Sequence, residues 1–131
     1  MIEKTQFLEI LVQACPTFSQ TRDEHIVEFG NDVLFIAAGE FSRHLLTLQR
    51  QGTTSSFSQV GVTIEKMYAT GTPEVKELAT IGILEGIQNI WANNEVNPEF
   101  FHEYLGTEGR ARWCDLNDFW SGKAPKVRNN A

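Results

Sequence analysis

The sequence predicts an all-α fold of six or seven antiparallel helices, and three observations support this. Apolar residues recur at spacings of three and four along most of the chain, as on the buried face of a helix. Gly or Pro interrupts these patterns after short intervals, and short connections favour antiparallel neighbours. No clean alternation of apolar and polar residues, the pattern of a half-buried strand, is present.

The first two helices are expected over residues 3–14 and 19–29, where Pro16 and Gly30 end them. The third is expected to begin at a capping Asn31 and to run to residue 51, before Gly52. The fourth is expected over residues 55–69. His25, beside two carboxylates in the second helix, is expected at the solvated surface.

The segment from Thr72 to Trp91 predicts the central helix. Thr72 can cap it, Pro73 lies where a missing N–H costs nothing, and Glu74 complements the helix dipole. The segment is apolar around most of its circumference, which is typical of a helix that is buried on several sides. Gly82 and Gly86, four residues apart, would let a neighbouring helix approach closely.

A short helix is expected after Asn97, and Thr107 is expected to open the last helix. Residues 1–121 are therefore assigned to a single helical domain, with 122–131 as a flexible basic tail. Four residues of the third helix are matched by residues of similar type in the central helix, each 45 positions later. This offset falls within the ~40–47-residue period of helical repeats. A HEAT- or armadillo-like stack and a compact irregular bundle both remain open.

The charge restricts the classes of partner. The chain has a formal charge of −6, and three of its eleven basic residues lie in the last ten positions, so the body is more acidic still. Such a body argues against nucleic-acid binding, which requires clustered Lys and Arg, and favours a basic partner. The longest apolar run is too short to cross a membrane, and the N-terminus lacks the pattern of a signal peptide. We therefore expect a cytoplasmic protein with reduced, packed cysteines.

Two polar clusters require an explanation because they fall on otherwise apolar helices. On the third helix the cluster is Glu40, Arg43 and His44, and on the central helix it is Glu85, Gln88 and Asn89. If these helices are neighbours, the two clusters could converge. A structural hydrogen-bond network, a partner-binding surface, and a metal or small-molecule site using Glu40, His44 and Glu85 are all compatible with this pattern.

Neither a catalytic motif nor a cofactor motif supports the third of these possibilities. Di-metal bundles use paired Glu-x-x-His motifs, whereas Glu40 and His44 are four residues apart and occur once. Near the C-terminus, Trp113, Phe119 and Trp120 are dense enough to seal the core or to act as interface anchors. We expect no enzyme activity, no cofactor and no bound metal.

A family resemblance is carried by G-E-F-S-R-H-L, I-E-K-M, P-E-V-K-E-L-A-T-I-G-I-L-E-G-I-Q-N and the ending from Y-L-G-T to L-N-D-F-W. These segments resemble a family of small, uncharacterised bacterial helical proteins, from whose usual ending the chain departs at Thr107, Gly109 and Cys114. The resemblance implies a bacterial cytosolic protein, associated with immunity proteins that accompany delivered toxins.

Three functions follow as hypotheses. The first is a non-enzymatic immunity protein that neutralises a cognate toxin, because an acidic surface would accelerate encounter with a basic toxin domain. The second is a metal- or small-molecule-binding protein or enzyme, and the third is a homo-oligomeric scaffold. The sequence leaves the oligomeric state undetermined.

Overall fold

The computed structural model describes residues 1–122 of the 131-residue chain. This part is an all-α compact bundle with an isolated β-bridge between Ile2 and Gly71. Its seven helices are α1 (Phe7–Ala14), α2 (Ser19–Phe29), α3 (Leu34–Gln51), α4 (Phe57–Thr70), α5 (from Pro73), α6 (Glu99–His102) and α7 (Thr107–Trp120). Apart from Gly122, the predicted basic tail lies outside the described residues.

The helix boundaries match the prediction where Gly or Pro defines them and shift elsewhere. Short 3₁₀ turns, Lys4–Gln6 and Pro16–Phe18, precede α1 and α2. The prediction that Asn31 caps α3 is wrong, because residues 30–32 form a turn and Val33 is the N-cap residue. The turn begins at Gly30, whose φ of 76° a residue with a Cβ rarely adopts.

The central helix α5 begins as predicted and then widens. The Thr72 hydroxyl accepts a hydrogen bond from the Val75 N–H at 3.3 Å, and Pro73 occupies the first turn. From Pro73–Glu77 the helix continues as π-helical segments Leu78–Leu84 and Ile87–Trp91, and the label α5 covers this whole run. π-helical turns are rare, and the apolar periodicity does not distinguish them from α-helical turns.

Helices α3 and α5 run parallel to each other. Ala38 packs at Gly82 and Ser42 at Gly86, and further along the pair the Arg50 side chain donates a 2.7 Å hydrogen bond to the Asn94 carbonyl. The two residues in each of these contacts are 44 positions apart, so both helices run in the same direction. The predicted echo at 45 residues corresponds to two helices lying side by side within the compact bundle.

Aromatic side chains fill the core between α4, α5 and α6. The ring centroid of Phe57 lies 5.4 Å from that of Phe101 and 6.3 Å from that of Trp91, both of which are fully buried. Buried aromatic area of this kind dominates core energetics. Within residues 1–122, no helix is both long enough and apolar enough to cross a membrane.

The two cysteines are free thiols in different environments. Cys15 is buried at the end of α1, as expected for a packed thiol. Cys114 lies on the exposed face of α7, so the expectation that both cysteines are packed is wrong for this residue.

Candidate functional site

The predicted polar cluster on α3 contacts α2. One Glu40 carboxylate oxygen lies 2.5 Å from His25 Nδ1, and the His25 ring lies 5.0 Å from the ring of Phe29. His25 is 1% exposed, so the prediction of a solvated histidine is wrong. Its partner is a carboxylate 15 positions away, which local sequence does not reveal.

His44, one turn further along α3, contacts the segment between α1 and α2. Its Nε2 lies 2.8 Å from the Thr17 hydroxyl, which in turn lies 3.5 Å from the Cys15 sulfur. Burial lowers the pKa of the half-buried His44 imidazole, because desolvation disfavours its charged form. Arg43 is exposed beside them, in a shallow cavity of about 270 Å³.

The three polar residues of the cluster on α5 also lie in different environments. Gln88 is buried and donates a 3.2 Å hydrogen bond to the Trp113 carbonyl of α7. Glu85 and Asn89 are partly exposed. Burial raises the pKa of the Glu85 carboxyl, because desolvation disfavours its charged form.

The two clusters therefore do not converge, although their helices are neighbours. The face of α3 that meets α5 carries Ala38 and Ser42, and the Ser42 hydroxyl lies 3.1 Å from the Ile83 carbonyl. Glu40 and His44 lie on another face of α3, toward α2. Within residues 1–122 no hydrogen bond or ion pair joins the two clusters, and no group of three or more His, Cys, Asp or Glu residues there could hold a metal ion.

A different surface combines exposed apolar and acidic side chains where α3 and α5 begin. Phe35 of α3 is 48% exposed and Ile81 of α5 is 39% exposed. The adjoining cavity has a volume of about 330 Å³. We call the following residues the acidic–apolar surface: Asp32, Leu34, Phe35, Glu74, Glu77, Leu78 and Ile81.

Negative charge on this surface is only partly compensated. Glu74 forms a 3.5 Å ion pair with Lys4, and both side chains are more than half exposed. The carboxylates of Asp32 and Glu77 have no hydrogen-bond or ion-pair partner within residues 1–122. Glu74, Glu77, Ile81 and Glu85 recur at spacings of three and four, so they share one side of α5.

A domain family of unknown function, DUF7674, matches residues 8–121. The chain belongs to the DUF7674 family. No curated protein and no solved structure matches the chain.

The aromatic residues near the end of the DUF7674 domain have different environments. Trp113 is fully buried, and its indole N–H donates a 2.7 Å hydrogen bond to Glu99. It cannot serve as a surface anchor in this structure, which corrects its place in the predicted interface group. Phe119 is partly buried with its ring 5.3 Å from that of Trp120, which is 55% exposed.

The start of α7 in the DUF7674 domain is capped from another helix. Glu65 of α4 accepts hydrogen bonds from the backbone N–H groups of Glu108 at 3.0 Å and Gly109 at 2.8 Å. A Cβ at Gly106 or Gly109 would lie 2.7 Å from the Glu65 carboxyl group. The cap thus accounts for the glycines of Y-L-G-T-E-G, but the sequence analysis did not predict it, because Glu65 lies more than 40 positions before them.

Proposed function

We propose that this DUF7674 protein is a non-enzymatic protein-binding module, an immunity protein that neutralises a cognate basic toxin in the bacterial cytoplasm by direct binding. The acidic–apolar surface carries this proposal. It places carboxylates that have no partner within residues 1–122 beside exposed apolar side chains, a combination that can steer a basic partner and then exclude water from the contact.

The distribution of the polar residues also supports binding over catalysis. Glu40 and His44, which the small-molecule hypothesis requires, contact α2 and the turn before it, whereas Glu85 lies on α5. Glu40 and His44 contact different residues and Glu85 lies on another helix, so the three do not form a shared site with a reacting centre.

The test is co-expression with the product of the neighbouring reading frame. Under the proposal, the two proteins co-purify with an affinity below about 1 μM, equivalent to about −8 kcal/mol. The wild-type protein should also protect cells from growth arrest caused by that product. Absence of both binding and protection would reject the immunity function.

A scaffold function has one specific observation in its favour, the exposure of Trp120 and of Phe100 on α6. Light scattering of the wild-type chain and of Trp120→Ala distinguishes the scaffold function from toxin binding. A monomeric wild type supports the toxin-binding proposal. An oligomeric wild type that dissociates on Trp120→Ala substitution supports the scaffold function.

A further inference from the structure

We infer that the acidic–apolar surface binds a basic protein segment that inserts one large apolar side chain between the first turns of α3 and α5. This inference rests on the proposed protein-binding function and specifies the surface and the chemistry of the partner.

The apolar part of the argument is a pair of exposed hydrophobic side chains. Phe35, 48% exposed, lines the cavity at the start of α3, and Ile81, 39% exposed, lies one turn beyond Glu77 on α5. The cavity beside them measures about 330 Å³. This volume is at the lower end of the roughly 300–1,000 Å³ range of ligand pockets, which suits one inserted side chain better than a cofactor.

The charged part of the argument is the carboxylates that border this cavity. Asp32 and Glu77 have no partner within residues 1–122, so they can pair with basic groups without losing an internal contact. The Lys4–Glu74 pair is exposed, and exposed pairs contribute little to stability. A partner lysine or arginine can therefore replace Lys4 at low cost.

The same charges argue against two other occupants. Anions and nucleic-acid backbones would meet uncompensated carboxylates. In a symmetric dimer formed through this surface, the same patch of each copy would face the other, which would bring Asp32 and Glu77 close to like charges. A basic segment of a different protein satisfies both the charge and the apolar requirement.

The experiment is a titration of the full chain with the peptide Lys-Lys-Trp-Lys-Leu-Lys-Lys at about 0.15 M salt. Binding is monitored by NMR through the chemical shifts of the backbone amides. The control peptide replaces every Lys with Glu. We expect saturable shifts concentrated at residues 32–36 and 74–82 with the basic peptide and none with the acidic one. Shifts spread evenly over the acidic exterior would overturn the inference.

Two charge-matched double variants localise the binding. Glu74→Gln/Glu77→Gln changes the surface, whereas Glu95→Gln/Glu103→Gln removes the same charge at exposed positions beyond the other end of α5. We expect the first to weaken peptide binding at least about fivefold and the second less than about twofold. Equal weakening would mean that net charge alone attracts the peptide and would refute the assigned surface.

The same variants separate this inference from the proposed function. If the neighbouring gene product binds the wild type and Glu74→Gln/Glu77→Gln equally, the assigned surface is wrong and the protein-binding function stands. If the peptide binds at the assigned surface and the gene product does not bind at all, the surface assignment stands and the immunity function fails.

Discussion

A Cβ on Gly82 would lie 2.7 Å from the Cβ of Ala38, closer than two such atoms can approach. One turn along, a Cβ on Gly86 would lie 2.7 Å from the Ser42 hydroxyl oxygen. At both positions α5 is in contact with α3 through its backbone. The two glycines of the central helix therefore set the distance between these helices.

We expect Gly82→Ala to lower the free energy of unfolding by about 1–3 kcal/mol, since the added methyl group overpacks the contact with Ala38. Gly39→Ala is the matched control, because nothing lies within 4 Å of a Cβ at Gly39 in the neighbouring helix α3. It should be neutral or stabilising by up to about 1 kcal/mol through helix propensity. Urea denaturation measures both, and equal stability of the two variants would argue against the close contact.

Glu65→Ala should destabilise the fold by about 1–2 kcal/mol, because two N–H groups at the start of α7 lose their acceptor. Thr107→Ala should cost less than about 0.5 kcal/mol, since no Thr107 cap is formed. Thermal denaturation ranks the two variants. The reverse ranking would contradict the capping of α7 by Glu65.

The His25–Glu40 pair should show energetic coupling in a double-mutant cycle. We expect His25→Phe and Glu40→Ala each to cost about 1–3 kcal/mol, because each leaves a buried or half-buried polar group without its partner. The double variant should cost less than the sum, with a coupling of at least about 0.5 kcal/mol. Glu24→Gln, an exposed change on the same helix, controls for lost charge, and full additivity would contradict the pair.

Glu85→Gln should raise the melting temperature slightly at about pH 7. Burial raises the pKa of Glu85, so the native state binds its proton more tightly than the unfolded chain does. Stability contributed by this group is therefore lost as the pH rises through its native pKa. At about pH 3 both states are protonated and the difference should vanish. A melting curve series across this range checks the sign, and destabilisation at neutral pH would contradict it.

Local sequence signals predicted much of the fold. Gly30 ends α2 at the expected residue, and Thr72 with Pro73 correctly marks the start of α5. The pattern did not predict the π-helical turns or the partner of His25, because both depend on packing between distant segments. The i, i+4 spacing on α3 correctly singled out Glu40 and His44 as residues that make contacts. A helical period does not reveal which neighbouring helix provides their partners.

The acidic–apolar surface was missed for a related reason. Phe35 and Ile81 lie outside the main apolar stripes of their helices, and the apolar circumference of α5 was interpreted as burial on several sides, whereas both side chains are exposed. Sequence reasoning counted the acidic residues correctly without locating those that have no partner in the described part of the chain.

Backbone pairing at Ile2 has a practical consequence for handling the protein. Its N–H donates to the Thr70 carbonyl at 2.8 Å, and its carbonyl accepts from the Thr72 N–H at 2.9 Å. Lys4, two residues later, forms an ion pair with Glu74 of α5. An affinity tag fused ahead of Met1 would emerge beside the first turn of α5, where it would obstruct a docking partner. Binding assays should therefore use protein from which the tag has been removed.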